Sequence, residues 1–322
     1  MRVGIVGAGG MGNVHARHYK TIGGIELFVF DTLSDRAQQF ADVHSIRLSD
    51  SFESLISSVD AVDLCVPTDL HPECALKAIA AGRHVLVEKP IAGNIADASA
   101  MTKAADSAGV LLMVGQVVRY FPEFRKGHDL VASGAVGTPA AARMRRGGGP
   151  PRAEWFLDHS RSGGVLVDLA VHDFDWLRWT LGEVKCLYSR SVGVARGGHG
   201  VDYALTTLTF DSGAVAHVES TWMDPSGFRV TFEVCGSGGM IEYDSRQTAS
   251  LRTHSAGGTR LESPLAAADD PYFNQLRDFV AACRGEKSDS VTAYDGFMSL
   301  SISLAAVESA KTGKVVTPAR EL

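Results

Sequence analysis

The chain has few cysteines: five are scattered over 322 residues, and none forms a Cys-x-x-Cys pair. This scarcity argues against a disulfide framework and against structural zinc, so we expect reduced thiols. No apolar run is long enough to span a bilayer and no charged leader precedes the first strand, which predicts a cytoplasmic protein without a membrane partner. The formal charge of −6 and the lack of a long basic run give no electrostatic footprint for DNA or RNA, so nucleic acid is not an expected partner.

The apolar content of 45% is sufficient for a substantial core, and the length is typical of two domains. Up to residue 118, short apolar runs alternate with helical stretches, the pattern of a parallel sheet wound on both faces. From Thr138 the runs become longer and alternate in polarity, which predicts an antiparallel sheet interrupted by a helix at residues 163–181.

We therefore place an α/β domain at residues 1–118 and an α+β domain at 119–322. A helix at residues 292–312, capped by Thr292, is a candidate for packing back on the first domain. Gly236-Ser237-Gly238-Gly239 opens no helix and predicts a hairpin turn. Residues 143–152, rich in arginine, glycine and proline, favour a solvated loop over a site for an anionic substrate.

Gly7-Ala8-Gly9-Gly10-Met11-Gly12 directly follows the apolar run Val3–Val6 and precedes a helical stretch at residues 13–22. A tight glycine turn between a strand and a helix lets the backbone approach a pyrophosphate, whose charge then lies on unpaired N–H groups at the helix start. The pattern alone is common, but in this context it predicts a dinucleotide site.

A second strand, residues 25–30, ends at Asp31, nineteen residues after Gly12. A carboxylate at this spacing accepts hydrogen bonds from the adenosine ribose and repels a 2′-phosphate, which favours NAD over NADP. Arg36 keeps NADP open, because a nearby guanidinium can hold a 2′-phosphate. The structural alternative for Asp31 is a cap on the helix that begins near Ser34.

Asp168 and His172 follow Gly163-Gly164 and lie four residues apart, a spacing that places both side chains on one face of a helix. A carboxylate beside an imidazole orients it and stabilises its charged form, so the pair is suited to accept a proton from an alcohol. The alternative is a helix start in which Asp168 caps and His172 packs against tryptophan. Asp173 and Asp175 nearby tip the interpretation towards function, and proton transfer is favoured over a metal because no second histidine lies at a ligand spacing.

Glu88-Lys89-Pro90 falls where the fifth strand is expected to end, and ligands of open α/β sheets bind at such carboxyl ends. The Lys89 ammonium can stabilise negative charge on a substrate oxygen, although a solvated turn is the structural alternative. Arg119, at the expected domain junction, is a candidate for polyol hydroxyls or equally for an interdomain salt bridge. His15 and His18 have no evident acidic partner and are interpreted as structural.

Four motifs in this order resemble the glucose-fructose oxidoreductase, inositol dehydrogenase and MocA (Gfo/Idh/MocA) family over nearly the whole chain. They are Gly7-x-Gly9-x-x-Gly12, Pro67-Thr68-x-x-His71, Gly82 to Pro90, and Gly163-Gly164 to Asp175. The resemblance implies a Rossmann domain followed by an α+β domain whose large open sheet, mostly antiparallel, often mediates dimers or tetramers.

The resemblance also implies the roles of individual residues and is closer to the inositol-dehydrogenase-like branch. His172 would be the general base, Asp168 its partner and Lys89 the group that polarises the substrate oxygen. The implied cofactor contacts are Gly7, Gly9, Gly10, Met11, Gly12, Asp31, Arg36, Pro67, Thr68, His71, Glu88, Lys89 and Gln116. The implied substrate contacts are Lys89, Arg119, Trp155, Asp168 and His172. Gln116 stands where relatives often carry asparagine.

These features predict an NAD-dependent oxidoreductase for a secondary alcohol of a cyclitol or sugar, assembled as a homodimer or homotetramer. One alternative is an NADP(H)-dependent sugar ketoreductase. Another is a non-catalytic NAD(P)-binding regulatory protein of the same fold. Such regulators tend to lose the lysine or the histidine, and this chain retains both Lys89 and His172.

Overall fold

The computed structural model describes residues 1–149, 159–193, 203–264 and 270–322. The chain divides into two units, and the first contains residues 1–117 and 269–297 together with Leu322. The second unit contains residues 118–268 and 298–321. Across the described ranges, no helix combines the length and apolar character needed to cross a bilayer.

The first unit contains a six-stranded parallel sheet. Its strands are β1 (Arg2–Val6), β2 (Glu26–Phe30), β3 (Arg47–Leu48), β4 (Ala61–Leu64), β5 (His84–Glu88) and β6 (Leu112–Gly115). They lie in the order β3-β2-β1-β4-β5-β6 with parallel pairing throughout. The direction of winding therefore reverses between β1 and β4, the point at which doubly wound sheets bind ligands beyond the carboxyl ends of their strands.

Helices connect these strands, and their ends follow local capping chemistry. They are α1 (Gly10–Tyr19), α2 (Ser34–His44), α3 (Phe52–Ser58), α4 (His71–Ala80) and α5 (Ile95–Ala108). The Ser51 hydroxyl and the Asn94 side chain each accept a backbone N–H from the first turn of α3 and α5. Gly82 and Gly109 follow α4 and α5 with φ of 73° and 64°, which only glycine adopts without strain. The predicted doubly wound parallel sheet is confirmed.

The second unit contains an eight-stranded sheet. Its strands are β7 (Pro139–Gly147), β8 (Val184–Val192), β9 (Tyr203–Phe210), β10 (Val215–Thr221), β11 (Arg229–Gly236), β12 (Gly239–Asp244), β13 (Leu251–Ser255) and β14 (Gly258–Glu262). Their order is β14-β13-β12-β11-β7-β10-β9-β8. Only the β7–β10 pair among these described strands is parallel. The expected open, mostly antiparallel sheet is confirmed, and residues 236–239 form the predicted hairpin turn between β11 and β12.

The prediction of a loop is wrong for residues 143–147, because β7 extends through Arg143, Arg145 and Arg146 to Gly147, and residues 150–152 of the predicted loop lie outside the described residues. This strand lies inside the sheet between β11 and β10. Its arginines are tolerated there because acidic side chains from other elements pair with them, which no local pattern reveals.

Helical segments of the second unit pack on the sheet through a mixed aromatic and aliphatic core. They are α6 (Pro122–Ala132), α7 (His159–Ser162) and α8 (Val171–Leu181), with a π-helical turn at Val165–Leu169. Phe124 lies 5.6 Å from Trp176 and 5.2 Å from Phe232 between ring centroids, in edge-on geometries that aromatic pairs favour. The Trp176 indole N–H donates to the Phe124 carbonyl at 2.9 Å, so this buried donor is satisfied.

Two long helices, α9 (Pro271–Cys283) and α10 (Ala293–Thr312), complete the chain. Thr292 caps α10 as predicted: its hydroxyl accepts the Asp295 N–H at 3.1 Å, and the Asp295 carboxylate accepts the Thr292 N–H at 3.1 Å. Gly313 follows the helix with φ of 68°. The α/β and α+β classes assigned from sequence are therefore both observed.

Candidate active site

The glycine turn between β1 and α1 leaves no space for a side chain at Gly7 or Gly12. Gly7 has φ of +101°, and its N–H donates to the Phe30 carbonyl at 2.9 Å, which closes the turn against β2. A Cβ on Gly12 would collide with the Gly7 carbonyl oxygen, whereas Gly9 and Gly10 have no neighbour within 4 Å of a Cβ. Gly9 precedes α1 without a side-chain cap. The turn thus offers an uncovered backbone at a helix N-terminus, which fits a dinucleotide pyrophosphate.

Asp31 lies at the carboxyl end of β2, where its carboxylate joins the glycine turn to α2. It accepts the N–H groups of Ala8 and Leu33 at 2.8 and 2.9 Å. The Arg36 guanidinium binds both of its oxygens at 2.9 and 2.7 Å. Burial raises the pKa of Asp31, but these hydrogen bonds outweigh it and hold the pKa below the ordinary value. The carboxylate is therefore ionised. The oxygens that would accept the ribose hydroxyls are the same ones that bind Leu33 and Arg36 at the start of α2.

The segment after β4 is fixed by His71. Pro67 and Thr68 lead into a short 3₁₀ turn, and His71 begins α4. The His71 Nδ1 and Nε2 atoms lie 2.9 and 3.0 Å from the carbonyl oxygens of Pro90 and Val66. Burial lowers the pKa of His71 although both carbonyls favour the charged ring. The imidazole therefore connects the loops that follow β4 and β5, and it holds both sides of the expected nicotinamide region together.

Glu88 ends β5 and faces the interior of the first unit. Its Oε2 atom accepts the Lys89 N–H at 3.2 Å. A Cβ on Gly115 would lie 2.9 Å from Glu88 Oε1, so glycine at this position makes room for the carboxylate. Gln116 follows β6 and is fully buried. Glu88 and Lys89 thus lie at the same edge of the sheet as the glycine turn and the His71 segment.

All predicted cofactor contacts belong to the first unit. They follow the carboxyl ends of five parallel strands: the glycine turn after β1, Asp31 and Arg36 after β2, Pro67, Thr68 and His71 after β4, Glu88 and Lys89 at the end of β5, and Gln116 after β6. The sheet thus brings residues more than 100 positions apart to one edge, although their contact with a cofactor stays a prediction.

The proposed acid–base pair lies in the second unit, in a geometry that differs from one continuous helix. Gly163 and Gly164 have φ of 73° and 69° and are followed by the π-helical turn that contains Asp168. His172 lies in the first turn of α8, beyond Ala170. Asp168 is buried and His172 is half-buried. The spacing argument, which assumed a single α-helix, therefore does not describe this segment.

The acidic residues beside His172 have arginine partners. Asp173 accepts both Nε and NH2 of Arg146 at 2.9 and 2.8 Å, and Asp175 pairs with Arg119 through two hydrogen bonds of 2.7 Å. Burial raises the pKa of Asp173, and Arg146 opposes the shift. The Arg119–Asp175 salt bridge lies within the second unit and is therefore not the interdomain salt bridge considered from the sequence, while the contact of Arg119 with substrate stays a prediction. Trp155 lies outside the described residues.

The interpretation of His15 and His18 as histidines without acidic partners is wrong. His15 Nδ1 lies 2.8 Å from Asp63 Oδ2, and His18 Nε2 lies 3.3 Å from Asp270 Oδ1. One signal was present in the sequence: Asp63 interrupts the apolar run of β4, and a buried carboxylate requires a polar partner. The sequence did not identify that partner, because His15 is 48 residues away.

Comparisons with known proteins agree with this architecture. Residues 1–116 match a family model described as oxidoreductase family, NAD-binding Rossmann fold, and residues 124–242 match the GFO/IDH/MocA C-terminal domain. The chain is 31% identical to myo-inositol 2-dehydrogenase of Thermotoga maritima over 96% of each chain. It is 33% identical to 1,5-anhydro-D-fructose reductase of Ensifer adhaerens, over 92% of this chain and 91% of that protein.

A solved structure extends the similarity to three dimensions. GenD2 from gentamicin A biosynthesis, crystallised in complex with NAD, is similar with a TM-score of 0.89 and 27% identity. The match covers 99% of this chain and 96% of that chain.

Proposed function

The chain belongs to the Gfo/Idh/MocA family of oxidoreductases, with an NAD-binding Rossmann domain, and from this premise we propose that it oxidises a secondary alcohol of a cyclitol or sugar. The choice of substrate class is based on the similarity to myo-inositol 2-dehydrogenase, which extends over nearly the full length of both proteins. We also propose, from the family resemblance, that the protein works as a homodimer or homotetramer.

The residues of the first unit suit the cofactor. The glycine turn has room only for a Cβ-free residue at Gly12, and Asp31 is ionised at the end of β2. The turn would receive the pyrophosphate, Asp31 the ribose hydroxyls, and the loops joined by His71 the nicotinamide end. NAD, when bound, supplies the hydride acceptor.

The proposed chemistry assigns a proton and a charge to particular side chains. His172 accepts the hydroxyl proton as the carbon–hydrogen bond breaks, and Asp168 stabilises the resulting imidazolium. Lys89 donates a hydrogen bond to the substrate oxygen and stabilises its developing negative charge. In the reducing direction the imidazolium returns the proton.

Replacement of His172 tests this assignment. We expect His172→Ala to lower turnover by roughly two to four powers of ten, because the proton acceptor is lost, without changing the affinity for NADH. Turnover is measured by NADH fluorescence with a panel of inositols, aldoses and uronic acids. His217→Ala is a matched control, since His217 is exposed on β10 and pairs with Thr207. Near-native turnover of His172→Ala would contradict the proposal.

A second candidate is an NADP(H)-dependent sugar ketoreductase. Two observations favour it: the similarity to 1,5-anhydro-D-fructose reductase and the position of Arg36 on the Asp31 carboxylate. Rapid reduction of keto sugars with NADPH, without detectable oxidation of any cyclitol, would select this alternative.

A further inference from the structure

A buried polar cluster lies between α1, β4 and β5 in the first unit. Its members are His15 and Tyr19 of α1, Asp63 of β4, Cys65 just beyond β4, and Glu88 at the end of β5. His15, Tyr19 and Asp63 are fully buried, and Glu88 is 9% exposed. Charged groups are rarely placed this deep in a protein unless they are paired, so their arrangement calls for a specific explanation.

The two nitrogens of His15 face two different carboxylates. Nδ1 lies 2.8 Å from Asp63 Oδ2, and Nε2 lies 3.4 Å from Glu88 Oε1. Neither Nε2 nor this Glu88 oxygen has a hydrogen bond among the described residues, and the contact between them is an ion-pair contact. A neutral imidazole carries a single N–H and no charge, whereas an imidazolium donates to Asp63 through Nδ1 and places positive charge beside Glu88 at Nε2.

The groups around the ring favour its charged form. Burial opposes ionisation of His15, but the carboxylate of Asp63 outweighs it and raises the pKa of His15 well above the ordinary value. The pKa of Cys65 is raised to about 12 by burial and Asp63, so it remains a thiol. Burial and Asp63 raise the pKa of Tyr19 in the same way. From α9, the neutral ring of Tyr272 faces His15 at 6.4 Å between centroids.

A metal centre built from His15, Asp63 and Cys65 explains this geometry less well. Zinc bonds to nitrogen and oxygen of about 2.0–2.2 Å at a tetrahedral angle separate the two ligand atoms by roughly 3.3–3.6 Å. His15 Nδ1 and Asp63 Oδ2 are 2.8 Å apart, which is the distance of a direct charged hydrogen bond. The Cys65 sulfur lies 3.4 Å from the same nitrogen and 3.5 Å from Asp63 Oδ1, so it contacts a histidine and a carboxylate that are already hydrogen-bonded to each other.

The cluster reaches the proposed reaction centre through Glu88. One carboxylate oxygen faces His15 and the other accepts the Lys89 N–H at 3.2 Å. The absent side chain of Gly115 leaves space for this carboxylate. The single side chain of Glu88 therefore lies between His15 and the backbone at Lys89.

We propose that His15 is a positioning residue for the Glu88–Lys89 segment: its imidazolium, held by Asp63, fixes the Glu88 carboxylate and thereby the backbone amide of Lys89. The role rests on the proposed function, in which Lys89 stabilises the substrate oxygen and Glu88 borders the nicotinamide. His15 itself touches neither substrate nor cofactor in this proposal.

The charge state of His15 is measured first, in protein without cofactor or substrate. Histidines labelled with ¹³C at Cε1 are titrated by NMR from about pH 5 to about pH 9, and His15→Gln assigns the resonance. We expect the His15 signal to remain that of an imidazolium through neutral pH, and Asp63→Asn to return its titration towards the ordinary range. A wild-type ring that is neutral at pH 7 would overturn the proposal.

The second measurement follows the consequence for the cofactor site. We expect His15→Gln and Glu88→Gln to bind NADH about tenfold more weakly, because the charged contact between His15 and the Glu88 carboxylate is lost. His18→Gln, a change on the same helix at a half-buried ion pair, should bind NADH as the wild type does. If His15→Gln does not fold, Glu88→Gln and the wild-type titration decide. NADH affinity that is unchanged in folded His15→Gln or Glu88→Gln would reject the positioning role.

Kinetics then separate positioning from support of the fold. In Asp63→Asn, turnover should fall as pH rises through the lowered pKa of His15, with KM for the alcohol unchanged. A pH profile like that of the wild type would contradict the proposal, as would stoichiometric zinc in the purified protein that is lost in Cys65→Ser. Because the NMR and NADH measurements require no substrate, they hold or fail independently of the dehydrogenase activity.

Discussion

Two acidic residues beside His172 can be buried because each is paired with an arginine that is distant in the sequence. Asp173 receives Arg146 from β7, and Asp175 receives Arg119 from the segment before α6. The sequence showed a local concentration of carboxylates, and Asp173 and Asp175 tipped the interpretation of the Asp168–His172 pair towards function. Two of these carboxylates form ion pairs with arginine, and the role of Asp168 as the acidic partner of His172 stays a prediction from the family resemblance.

The Asp31–Arg36 pair predicts how cofactor choice responds to substitution. Arg36→Ala should weaken NADPH binding about tenfold and leave NADH binding unchanged, because the cation available to a 2′-phosphate is removed while the Asp31 carboxylate remains. Asp31→Asn should weaken NADH binding, since one charged acceptor for the ribose is lost. Fluorescence titration of both cofactors gives the two affinities.

The same experiment includes its own control. Arg47 of β3 forms an exposed ion pair with Glu26 of β2. Arg47→Ala therefore removes a comparable positive charge from the strand next to β2. An equal loss of NADPH affinity in Arg47→Ala would indicate a general electrostatic effect. A cofactor ratio unchanged in both Arg36→Ala and Asp31→Asn would show that this pair does not set the preference.

Among the structural elements, those defined by local chemistry were predictable from sequence. The strand, glycine turn and helix around Gly7 follow from adjacent residues, and so do the end of α4 before Gly82 and the cap of α10 at Thr292. The second half of strand β7 was missed because three arginines near Gly147 resemble a solvated segment, and their partners Glu219, Asp173 and Glu233 are supplied by other elements. The π-helical turn at Asp168 was missed because residue spacing alone does not separate it from an α-helix.

The glycine turn predicts different tolerance at two neighbouring positions. Gly12→Ala should weaken NADH binding by at least about tenfold, because the new Cβ collides with the Gly7 carbonyl and must displace the turn. Gly10→Ala is the matched control, since nothing lies within 4 Å of a Cβ there. Its helix should be slightly more stable, because alanine loses less backbone entropy than glycine. Equal NADH affinities for the two variants would contradict this account of the turn.

For the whole molecule, the titrating histidines determine how stability changes with pH. Burial lowers the pKa of His44, His71, His84 and His128, so the unfolded chain binds more protons at these positions as pH falls below about 6.5, and folding weakens. His15 acts in the opposite direction, since Asp63 raises its pKa in the folded state despite burial. Its contribution is complete below the unfolded pKa and is lost as pH rises through the folded pKa.

A stability maximum near neutral pH follows, and its alkaline side depends on His15 up to about pH 8.5, above which the cysteine thiols with raised pKa values contribute as well. Each pH unit between about 6.5 and the folded pKa of His15 should remove about 1.4 kcal/mol of unfolding free energy in the wild type. His15→Gln should be less stable than the wild type at pH 6.5 and should lack this alkaline loss, whereas His18→Gln should retain it. Urea unfolding followed by intrinsic fluorescence across this range measures all three. Parallel pH profiles of unfolding free energy for the wild type and His15→Gln would mean that His15 carries no extra proton in the folded protein. Any loss of stability above about pH 6.5 would then have to come from groups other than His15.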